Sequence, residues 1–399
     1  MGLENSDKKS PGLSTRAIHT GEEQPRPNRE ITTPVSLTST YQFESMDEVR
    51  EYITGKKPHF EYGRYGNPTR EVASQKLASL ESAGACLMTS SGMNAITTTL
   101  FAFLSEGDHI VATRDIYKKT FYFLEYNLKE YGVESTFVEP GDPEALKGAI
   151  QDNTKVLFSE SPTNPFLNVI DLDMIADLGN EHGLKTIIDA TFATPYNQRP
   201  LEMGIDLVIQ SATKYLGGHN DLIAGAVLGS FPLVERVREL HHTLGGLIDP
   251  HSCYMLIRGL KTFESRMETI NKNAQTVAEF LEDHSSVKEV FYPGLKSHPQ
   301  HEVASQQMDG YGAVISFRIN GELEEAESFL NELEYIKIAP SLGGVESLIT
   351  HPATVSYYDF PEEERLEQGI TNNLIRLSVG LENVDDLRND LDRGLQTIV

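Results

Sequence analysis

The sequence predicts an α/β protein: a mostly parallel seven-stranded sheet domain, a smaller α+β domain at the C-terminal end, and an extended N-terminal arm. Three observations support this prediction. Short apolar segments alternate with helix-length segments between Ala85 and Ser230. The pattern changes near residue 250 to a long helical stretch. Residues 1–61 are rich in Thr, Ser, Pro and charge and show little periodicity, so they lack a core of their own.

The composition narrows the possible functions. The 399 residues carry a formal net charge of −25, which argues against nucleic-acid or anionic membrane partners because no excess of cations is available to neutralise phosphates. Two cysteines are too few for a disulfide scaffold or a Cys-based zinc site, so we expect a reduced, cytoplasmic environment. No apolar run approaches the roughly 20 residues that a membrane span needs.

The first long element is a helix in NPTREVASQKLASLE, with Asn67 as its cap and Pro68 in its first turn. Seven apolar runs of strand length follow: ACLMTS, HIVAT, STFVEP, KVLFSES, LKTIIDA, DLVIQSA and AGAVLGS. Runs that are apolar throughout indicate strands covered on both faces, which is typical of a parallel sheet flanked by helices.

The C-terminal part begins with one long predicted helix, HSCYMLIRGLKTFESRMETINKNAQTVAEFLEDH. The strand-like segments EVFYP, AVISFRI and NLIRLSV then alternate with helical segments. We therefore divide the chain into an arm at 1–61, an α/β domain at 62–258 and an α+β domain at 259–399.

The stretch DLVIQSATKYLGGHNDLIAG carries the clearest chemistry. Lys214 follows a strand-like run, beside the hydroxyls of Ser211 and Thr213 and before two glycines. A lysine in such a place can form a Schiff base with a carbonyl while the hydroxyls hold a phosphate, since burial lowers the pKa of a lysine readily. For a lysine taken alone, an ordinary surface position would be the better interpretation.

Two further strand ends strengthen the hypothesis. Asp189 closes the run LKTIID, where a carboxylate lies at the ligand-binding edge of an α/β sheet, although helix caps often use an Asp at such junctions. An Asp there can keep a pyridine nitrogen protonated. In ACLMTSSGMNAI, Gly92 and Met93 open a helix whose backbone N–H groups form an anion site. Together the three features predict a site for pyridoxal 5'-phosphate (PLP).

The sequence patterns of other binding sites are absent or incomplete. No P-loop pattern occurs, and the Gly310–Gly312 pair opens no helix and is better interpreted as a turn. His298 and His301 have no acidic or Cys partner at motif spacing, so a surface turn is preferred and we expect no metal site.

The motif blocks resemble the Cys/Met-metabolism family of PLP-dependent enzymes of fold type I. The resemblance covers nearly the whole chain and rests on STRAIHTG, YGRYGNPT, SSGMNAI, ESPTNP, DATFATPYNQ, SATKYLGGHNDLIAG, APSLGGVESL and LIRLSVGLE. Within the family the blocks are most similar to plant-type cystathionine γ-synthases.

The resemblance implies the following cofactor-binding residues: Tyr62, Arg64, Gly92, Met93, Tyr117, Asp189, Ser211, Thr213 and Lys214. It implies that Lys214 and Tyr117 are catalytic, Tyr117 by stacking on the ring, and that Tyr62 and Arg64 reach the phosphate in a neighbouring subunit. It assigns the substrate α-carboxylate to Asn164, Ser341 and Arg376. It also implies a homotetramer built from tight dimers.

Two departures bear on the reaction. Lys119 stands where methionine γ-lyases carry a cysteine, and Pro340 stands where bacterial γ-synthases and cystathionine γ-lyases often carry a glutamate. The expected reaction is therefore γ-replacement on an O-activated homoserine by cysteine, giving cystathionine. γ-Elimination of the lyase type, a sulfhydrylase reaction and a PLP-free binding protein remain the alternatives. The leaving group of the homoserine, acetyl, succinyl or phosphate, stays open.

Overall fold

The fold was analysed in a computed structural model that describes residues 11–22, 26 and 28–398. It confirms the predicted α/β architecture. Each of the seven apolar runs forms one strand of a single sheet: β1 Ala85–Thr89, β2 His109–Thr113, β3 Glu134–Val138, β4 Thr154–Glu160, β5 Lys185–Asp189, β6 Leu207–Gln210 and β7 Gly225–Gly229. A second, five-stranded sheet contains β8 Val287–Phe291, β9 Val314–Ile319, β10 Lys337–Ile338, β11 Leu348–Thr350 and β12 Leu374–Ser378.

The order of strands in the large sheet is β1-β7-β6-β5-β4-β2-β3. All of its pairings are parallel except those of β7, which runs antiparallel to both β1 and β6. The carboxyl ends of β1, β2, β4, β5 and β6 therefore meet at one edge of the sheet. Loops that follow these strands converge there, which is where ligands bind in open α/β sheets.

Successive side chains of each strand enter different cores. Ile110 and Ala112 of β2 belong to one apolar cluster, whereas Val111 between them belongs to another. Both faces of the sheet are thus covered, which explains why the central strands carry apolar side chains at successive positions.

Helices lie on both faces of the large sheet and beside the small one: α1 Leu13–His19, α2 Met46–Ile53, α3 Pro68–Leu80, α4 Gly92–Phe103, α5 Lys118–Tyr122, α6 Leu128–Glu130, α7 Pro143–Ala149, α8 Leu172–His182, α9 Thr194–Asn197, α10 Phe231–Leu244, α11 Pro250–Leu260, α12 Phe263–Glu282, α13 His301–Gln307, α14 Leu323–Glu332, α15 Pro352–Val355, α16 Glu362–Glu367 and α17 Val384–Leu395. A π-helical turn at Phe123–Asn127 joins α5 to α6, and a 3₁₀ turn spans Pro200–Met203. Among the described residues, no helix is long and apolar enough to cross a membrane.

The predicted start of α3 is confirmed. The Asn67 side chain accepts hydrogen bonds from the backbone N–H groups of Thr69 and Arg70, and Pro68 occupies the first turn. Asn67 thereby satisfies two N–H groups that have no partner within the helix.

The long helix predicted from residue 251 onward is wrong in one respect, because it is two helices. The helical conformation is interrupted at Lys261–Thr262, between α11 and α12. The buried guanidinium of Arg266 donates to the carbonyl oxygens of Gly259 and of Tyr215, at 3.0 and 2.7 Å. These bonds fold the start of α12 onto the loop that carries Lys214, a tertiary contact that helical periodicity does not reveal.

The N-terminal segment packs in two ways. Helix α1 lies against α3 and α12 of its own chain, with Ala17 buried and the Arg16 guanidinium bonded to the carbonyl oxygen of Ser79. Farther along, Ile31, Leu37 and Ile53 are largely exposed. The expectation that this segment lacks a core of its own therefore applies to the part after α1.

Candidate active site

A cavity of about 350 Å³ lies at the carboxyl edge of the large sheet, between that sheet and the small one. The loops after β1, β2, β4, β5 and β6 form one wall, and the segment 340–342, the segment 352–357 and β12 form the opposite wall. Ten of the predicted site residues line it: Gly92, Met93, Tyr117, Asn164, Asp189, Ser211, Thr213, Lys214, Ser341 and Arg376.

Lys214 lies in the loop that follows β6, with its ammonium nitrogen 2.6 Å from the Ser341 hydroxyl oxygen. Burial, and next the nearby Arg376 cation, lower the pKa of Lys214 to about 8. A substantial fraction of this amine is therefore neutral near physiological pH, as a nucleophile toward an aldehyde must be.

Asp189 is the last residue of β5 and is buried. One of its carboxyl oxygens accepts from the backbone N–H and the hydroxyl of Thr191, at 3.0 and 2.5 Å. The Thr191 hydroxyl oxygen accepts in turn from the Ser211 N–H at 2.8 Å, which ties the ends of β5 and β6 together. Burial raises the pKa of Asp189 to about 6, so a cation placed beside it would be stabilised and would hold it ionised.

Helix α4 points its N-terminus into the cavity. Ser91 caps the helix by accepting from the Asn94 N–H at 3.1 Å. A Cβ atom at Gly92 would lie 2.9 Å from the Ser211 Cβ atom, so a glycine is needed for the helix to approach the loop after β6. The backbone N–H groups of the first turn and the Ser211 hydroxyl thus form an anion site. The Thr213 hydroxyl lines the same cavity but donates to the Ala224 carbonyl oxygen at 3.2 Å.

Arg376 extends from β12 into the same cavity and is buried. Its guanidinium donates to the Asn164 side-chain oxygen at 3.1 Å and to the Ser341 backbone oxygen at 3.2 Å. Its Nε atom is buried without a hydrogen-bond partner. An unsatisfied guanidinium N–H beside two polar side chains is suited to binding a carboxylate.

The loop that carries Ser341 has unusual backbone geometry. Ser341 adopts a φ of +87°, in the left-handed region that costs a residue with a side chain about 1–3 kcal/mol. A Cβ atom at Gly343 would lie 2.6 Å from the Tyr215 nitrogen, so the loop approaches the lysine segment as closely as a glycine allows. Both features place the Ser341 hydroxyl against Lys214.

Tyr117 and Lys118 follow β2 at the mouth of the cavity. Tyr117 is 44% exposed and lines the cavity, so it is accessible to a ligand. The Lys118 ammonium is held by the Ser356 carbonyl oxygen at 2.7 Å and by an ion pair with Asp359, and it lies 4.7 Å from the centre of the Phe360 ring. Lys118 therefore faces the C-terminal part of the chain, whereas Lys119 lies over the exposed Tyr122 ring.

Tyr62 and Arg64 are the two predicted residues that the structure does not bring to this cavity. They line a separate groove with Asp249 and Arg70, and the Arg64 guanidinium lies 5.1 Å from the Tyr65 ring centre. Within one chain they contribute nothing to the site, and their predicted role across a subunit boundary stays a prediction.

Residues that sequence reasoning missed also line the cavity, namely Glu160, Thr191, Phe192, Ile223, Tyr357 and Pro352. Glu160 ends β4 next to Asp189 in the sheet register, so its place at a strand end was a usable signal. Tyr357 comes from the distant C-terminal part, and its sequence surroundings give no sign of the cavity.

The surface turn predicted around His298 is wrong for this residue. His298 lies in a turn but is only 4% exposed. The Nδ1–H of His301 donates to the Pro293 carbonyl oxygen at 2.8 Å. Within the described part of the chain, no group of three or more His, Cys, Asp or Glu side chains could hold a metal ion.

The cavity fits PLP on three independent counts. A lysine amine with a lowered pKa, a buried carboxyl at a neighbouring strand end and an anion site at a helix N-terminus all line one space. They match the aldehyde, the pyridine nitrogen and the phosphate of that cofactor. The fold and the site thus define a PLP-dependent enzyme of fold type I.

Comparison with known proteins narrows this class. The model of the Cys/Met metabolism PLP-dependent enzyme family matches residues 14–396, and the chain belongs to this family. It is therefore a PLP-dependent enzyme of Cys/Met metabolism.

Its relatives catalyse more than one reaction. The chain is 45% identical to cystathionine gamma-synthase 1, chloroplastic, of Arabidopsis thaliana, over 96% of this chain and 68% of that protein. It is 42% identical to L-methionine gamma-lyase of Fusobacterium nucleatum, over 98% of this chain and 100% of that protein. The crystal structure of cystathionine gamma-lyase from Lactobacillus plantarum complexed with L-serine superposes with a TM-score of 0.91 at 38% identity, covering 97% of this chain and 99% of that one.

Proposed function

We propose that this enzyme catalyses γ-replacement on an O-activated homoserine, with cysteine as the incoming thiol and cystathionine as the product. The similarity to a plant cystathionine gamma-synthase supports this reaction, as does Lys119, which stands where methionine γ-lyases carry a cysteine. Pro340 agrees with the plant-type synthases, whereas bacterial γ-synthases and cystathionine γ-lyases often carry a glutamate there.

The observation that carries the proposal is the pair of cations at the cavity. γ-Replacement requires two amino-acid substrates at one site, each with a carboxylate, whereas γ-elimination requires one. Arg376 and Lys118 both line the cavity and come from different elements, β12 and the start of α5. Arg376 would bind the carboxylate of the homoserine substrate. Lys118, whose ammonium is paired with Asp359 and the Ser356 carbonyl oxygen, would attract the carboxylate of cysteine or a phosphate leaving group by exchanging Asp359 for that anion.

The chain's own residues supply binding and proton transfer. PLP, when bound, withdraws electrons from the substrate Cα atom. Lys214, Asp189, Ser211, Thr213 and the N-terminus of α4 would hold this cofactor. The Lys214 amine, once free, would remove the Cα proton and then assist at Cβ, because its lowered pKa lets it alternate between base and acid.

Ser341 would position that amine. Its hydroxyl lies 2.6 Å from the Lys214 nitrogen, while its backbone oxygen accepts from Arg376. The loop of Ser341 therefore holds the Lys214 amine and the Arg376 guanidinium in a fixed relative position. Because Arg376 would orient the substrate carboxylate, this position determines which Cα bond faces the cofactor.

The product ratio tests this proposal. Purified holoenzyme is supplied with O-acetyl-, O-succinyl- or O-phosphohomoserine, with and without cysteine, and cystathionine and α-ketobutyrate are quantified. Dominance of cystathionine at saturating cysteine supports γ-replacement, and the preferred ester identifies the leaving group. Dominance of α-ketobutyrate, together with efficient cleavage of cystathionine, would show a lyase.

γ-Elimination is the second candidate function. It is favoured by the 42% identity to an L-methionine gamma-lyase that aligns over its full length. Methionine and cystathionine are the substrates that distinguish it. Sulfide in place of cysteine tests the sulfhydrylase reaction, whose product would be homocysteine.

We also propose that the active unit is a dimer within a homotetramer, in which Tyr62 and Arg64 complete the phosphate site of the neighbouring subunit. Tyr62 is 43% exposed and both residues lie outside their own cavity. The exposed apolar side chains of Ile31, Leu37 and Ile53 give the arm a surface to bury. Mixed dimers of Arg64→Ala and Lys214→Ala chains should regain activity, because one of their two composite sites is intact.

A further inference from the structure

A second buried carboxyl group lies beside Asp189. Glu160 is the last residue of β4, is 5% exposed and lines the cavity. It is paired in register with Asp189, the last residue of β5. Register partners on neighbouring parallel strands point to the same face of the sheet and their backbones lie about 4.8 Å apart. Two acidic side chains thus stand side by side in the wall of the cavity.

The two carboxyl groups have different partners. Asp189 accepts two hydrogen bonds from Thr191, one from the backbone and one from the hydroxyl. Glu160 accepts one, from the backbone N–H of Tyr117 at 2.6 Å. Among the ion pairs of the described residues, none involves Glu160.

The charged groups around Glu160 determine its protonation state. The titratable groups that face it are Asp189 from β5, Asp115 and Tyr117 from the segment after β2, and Tyr357 from the C-terminal part. Lys214 and Arg376 line the same cavity. Two adjacent buried carboxyl groups resist ionising together, and the one that receives more hydrogen bonds keeps the charge. The shared proton therefore belongs on Glu160.

We propose that Glu160 is a neutral carboxylic acid that positions Tyr117, by accepting its backbone N–H, without placing a second negative charge beside Asp189. Burial and the Asp189 carboxylate raise the pKa of Glu160 well above its ordinary value, in agreement with this assignment. An ionised Glu160 would raise the pKa of the Tyr117 phenol further and so oppose any proton transfer through that hydroxyl.

Two variants of similar side-chain length separate charge from hydrogen bonding. Glu160→Gln keeps the acceptor oxygen and is always neutral, whereas Glu160→Met removes the acceptor. Glu81→Gln is the matched control, since Glu81 is also a buried glutamate but lies outside the cavity. The readouts are the pH midpoint of the visible absorbance band of the holoenzyme, kcat/KM, and the melting temperature of each variant.

We expect the pH midpoint of E160Q to stay within about 0.3 of that of the wild type, as it does in E81Q, because no charge is lost. We expect E160M to lower kcat/KM about 30-fold and E160Q to lower it less than about threefold. In a Tyr117→Ala background, the further loss caused by E160M should shrink to less than about threefold, because Glu160 acts through Tyr117.

A fall of the midpoint by about one pH unit or more in E160Q would show an ionised Glu160 and overturn the proposal. An equal loss from E160M in both backgrounds would show a general structural role and overturn the positioning of Tyr117. If E160M does not fold, the midpoint of E160Q still decides the charge. The proposal applies whichever of the two reactions the enzyme catalyses, so its failure and that of the proposed function are distinguishable.

Discussion

The two walls of the cavity are built differently. On the sheet side, Asp189 ends a strand and Lys214 follows one within a few residues, so the hydrogen-bonded ladder of the large sheet fixes their backbones. On the opposite side, Ser341 lies in a loop and Arg376 reaches in from the small sheet. Side-chain hydrogen bonds, from Lys214 to Ser341 and from Arg376 to Asn164, connect the two sides.

This difference suggests a division of labour. The sheet wall carries the groups that match the cofactor. The opposite wall carries Arg376, Pro340 and the segment around Tyr357, which would contact the substrates. We therefore expect changes in the sheet wall to affect cofactor binding and all turnover, and changes in the opposite wall to affect substrate affinity and the choice of product.

The largest effect should come from the sheet wall. Lys214→Ala removes the amine that would both hold the cofactor and move the proton, so kcat/KM should fall by about 10⁴-fold or more. The visible absorbance of the bound cofactor should change while the melting temperature of the apoprotein is retained. Lys185→Ala, which changes a partly exposed lysine paired with Asp206, is the control. Activity of Lys214→Ala within tenfold of the wild type would refute the assignment.

Arg376 should give the next largest effect, and of a different kind. Arg376→Lys keeps a charge but loses the planar pair of donors, so KM for the amino-acid substrate should rise about a hundredfold. The visible absorbance of the holoenzyme should remain close to that of the wild type. An unchanged KM, or loss of the cofactor from this variant, would contradict the separation of the two walls.

The pH dependence of cofactor uptake measures how far Arg376, in the opposite wall, lowers the pKa of Lys214 in the sheet wall. The neutral Lys214 amine is the reactive form, and its pKa is about 8. Reconstitution of the apoprotein with PLP should therefore accelerate about tenfold per pH unit below pH 8 and level off above it. Arg376→Gln removes a cation that lowers this pKa, so the rise should move to higher pH. The reaction of PLP with free Nα-acetyllysine, measured over the same pH range, corrects for the ionisation of the cofactor. Identical pH profiles for the wild type and Arg376→Gln would exclude an effect of Arg376 on the pKa of Lys214.

The smallest effect concerns Lys118 at the mouth of the cavity. Lys118→Met should raise the share of α-ketobutyrate about two- to fivefold at subsaturating cysteine, because the second cation is lost. Asp359→Asn breaks the ion pair but keeps the lysine, and since Asp359 is partly exposed the melting temperature should hardly change. If both variants give the wild-type product ratio, Lys118 acts as a structural contact.

Much of the sheet wall was predictable from the sequence. Asp189 and Lys214 each follow an apolar run of strand length, and parallel strands bring their carboxyl ends to one edge. Asn67 likewise predicts the start of α3, because an N-cap side chain bonds to backbone N–H groups within the next three residues. These predictions depend on short-range rules that the local sequence contains.

The opposite wall was not predictable in this way. Arg376 meets Asn164 across 212 positions of sequence, and its assignment rested on resemblance to a family. The burial of His298 and the break between α11 and α12 were predicted wrongly, since both depend on segments packed from elsewhere. The local sequence of β4 does not reveal that Glu160 lies beside Asp189, because their proximity follows only from the pairing register of β4 and β5.

The sequence by itself determined the seven strands and the strand ends at which Asp189 and Lys214 lie, because periodicity and strand ends are local properties of the chain. The tertiary structure alone decided which distant side chains face those strand ends. It set Ser341 against Lys214, Arg376 against Asn164 and Glu160 against Asp189. Burial in that shared space, rather than residue type, is what shifts the pKa values of Lys214 and Asp189.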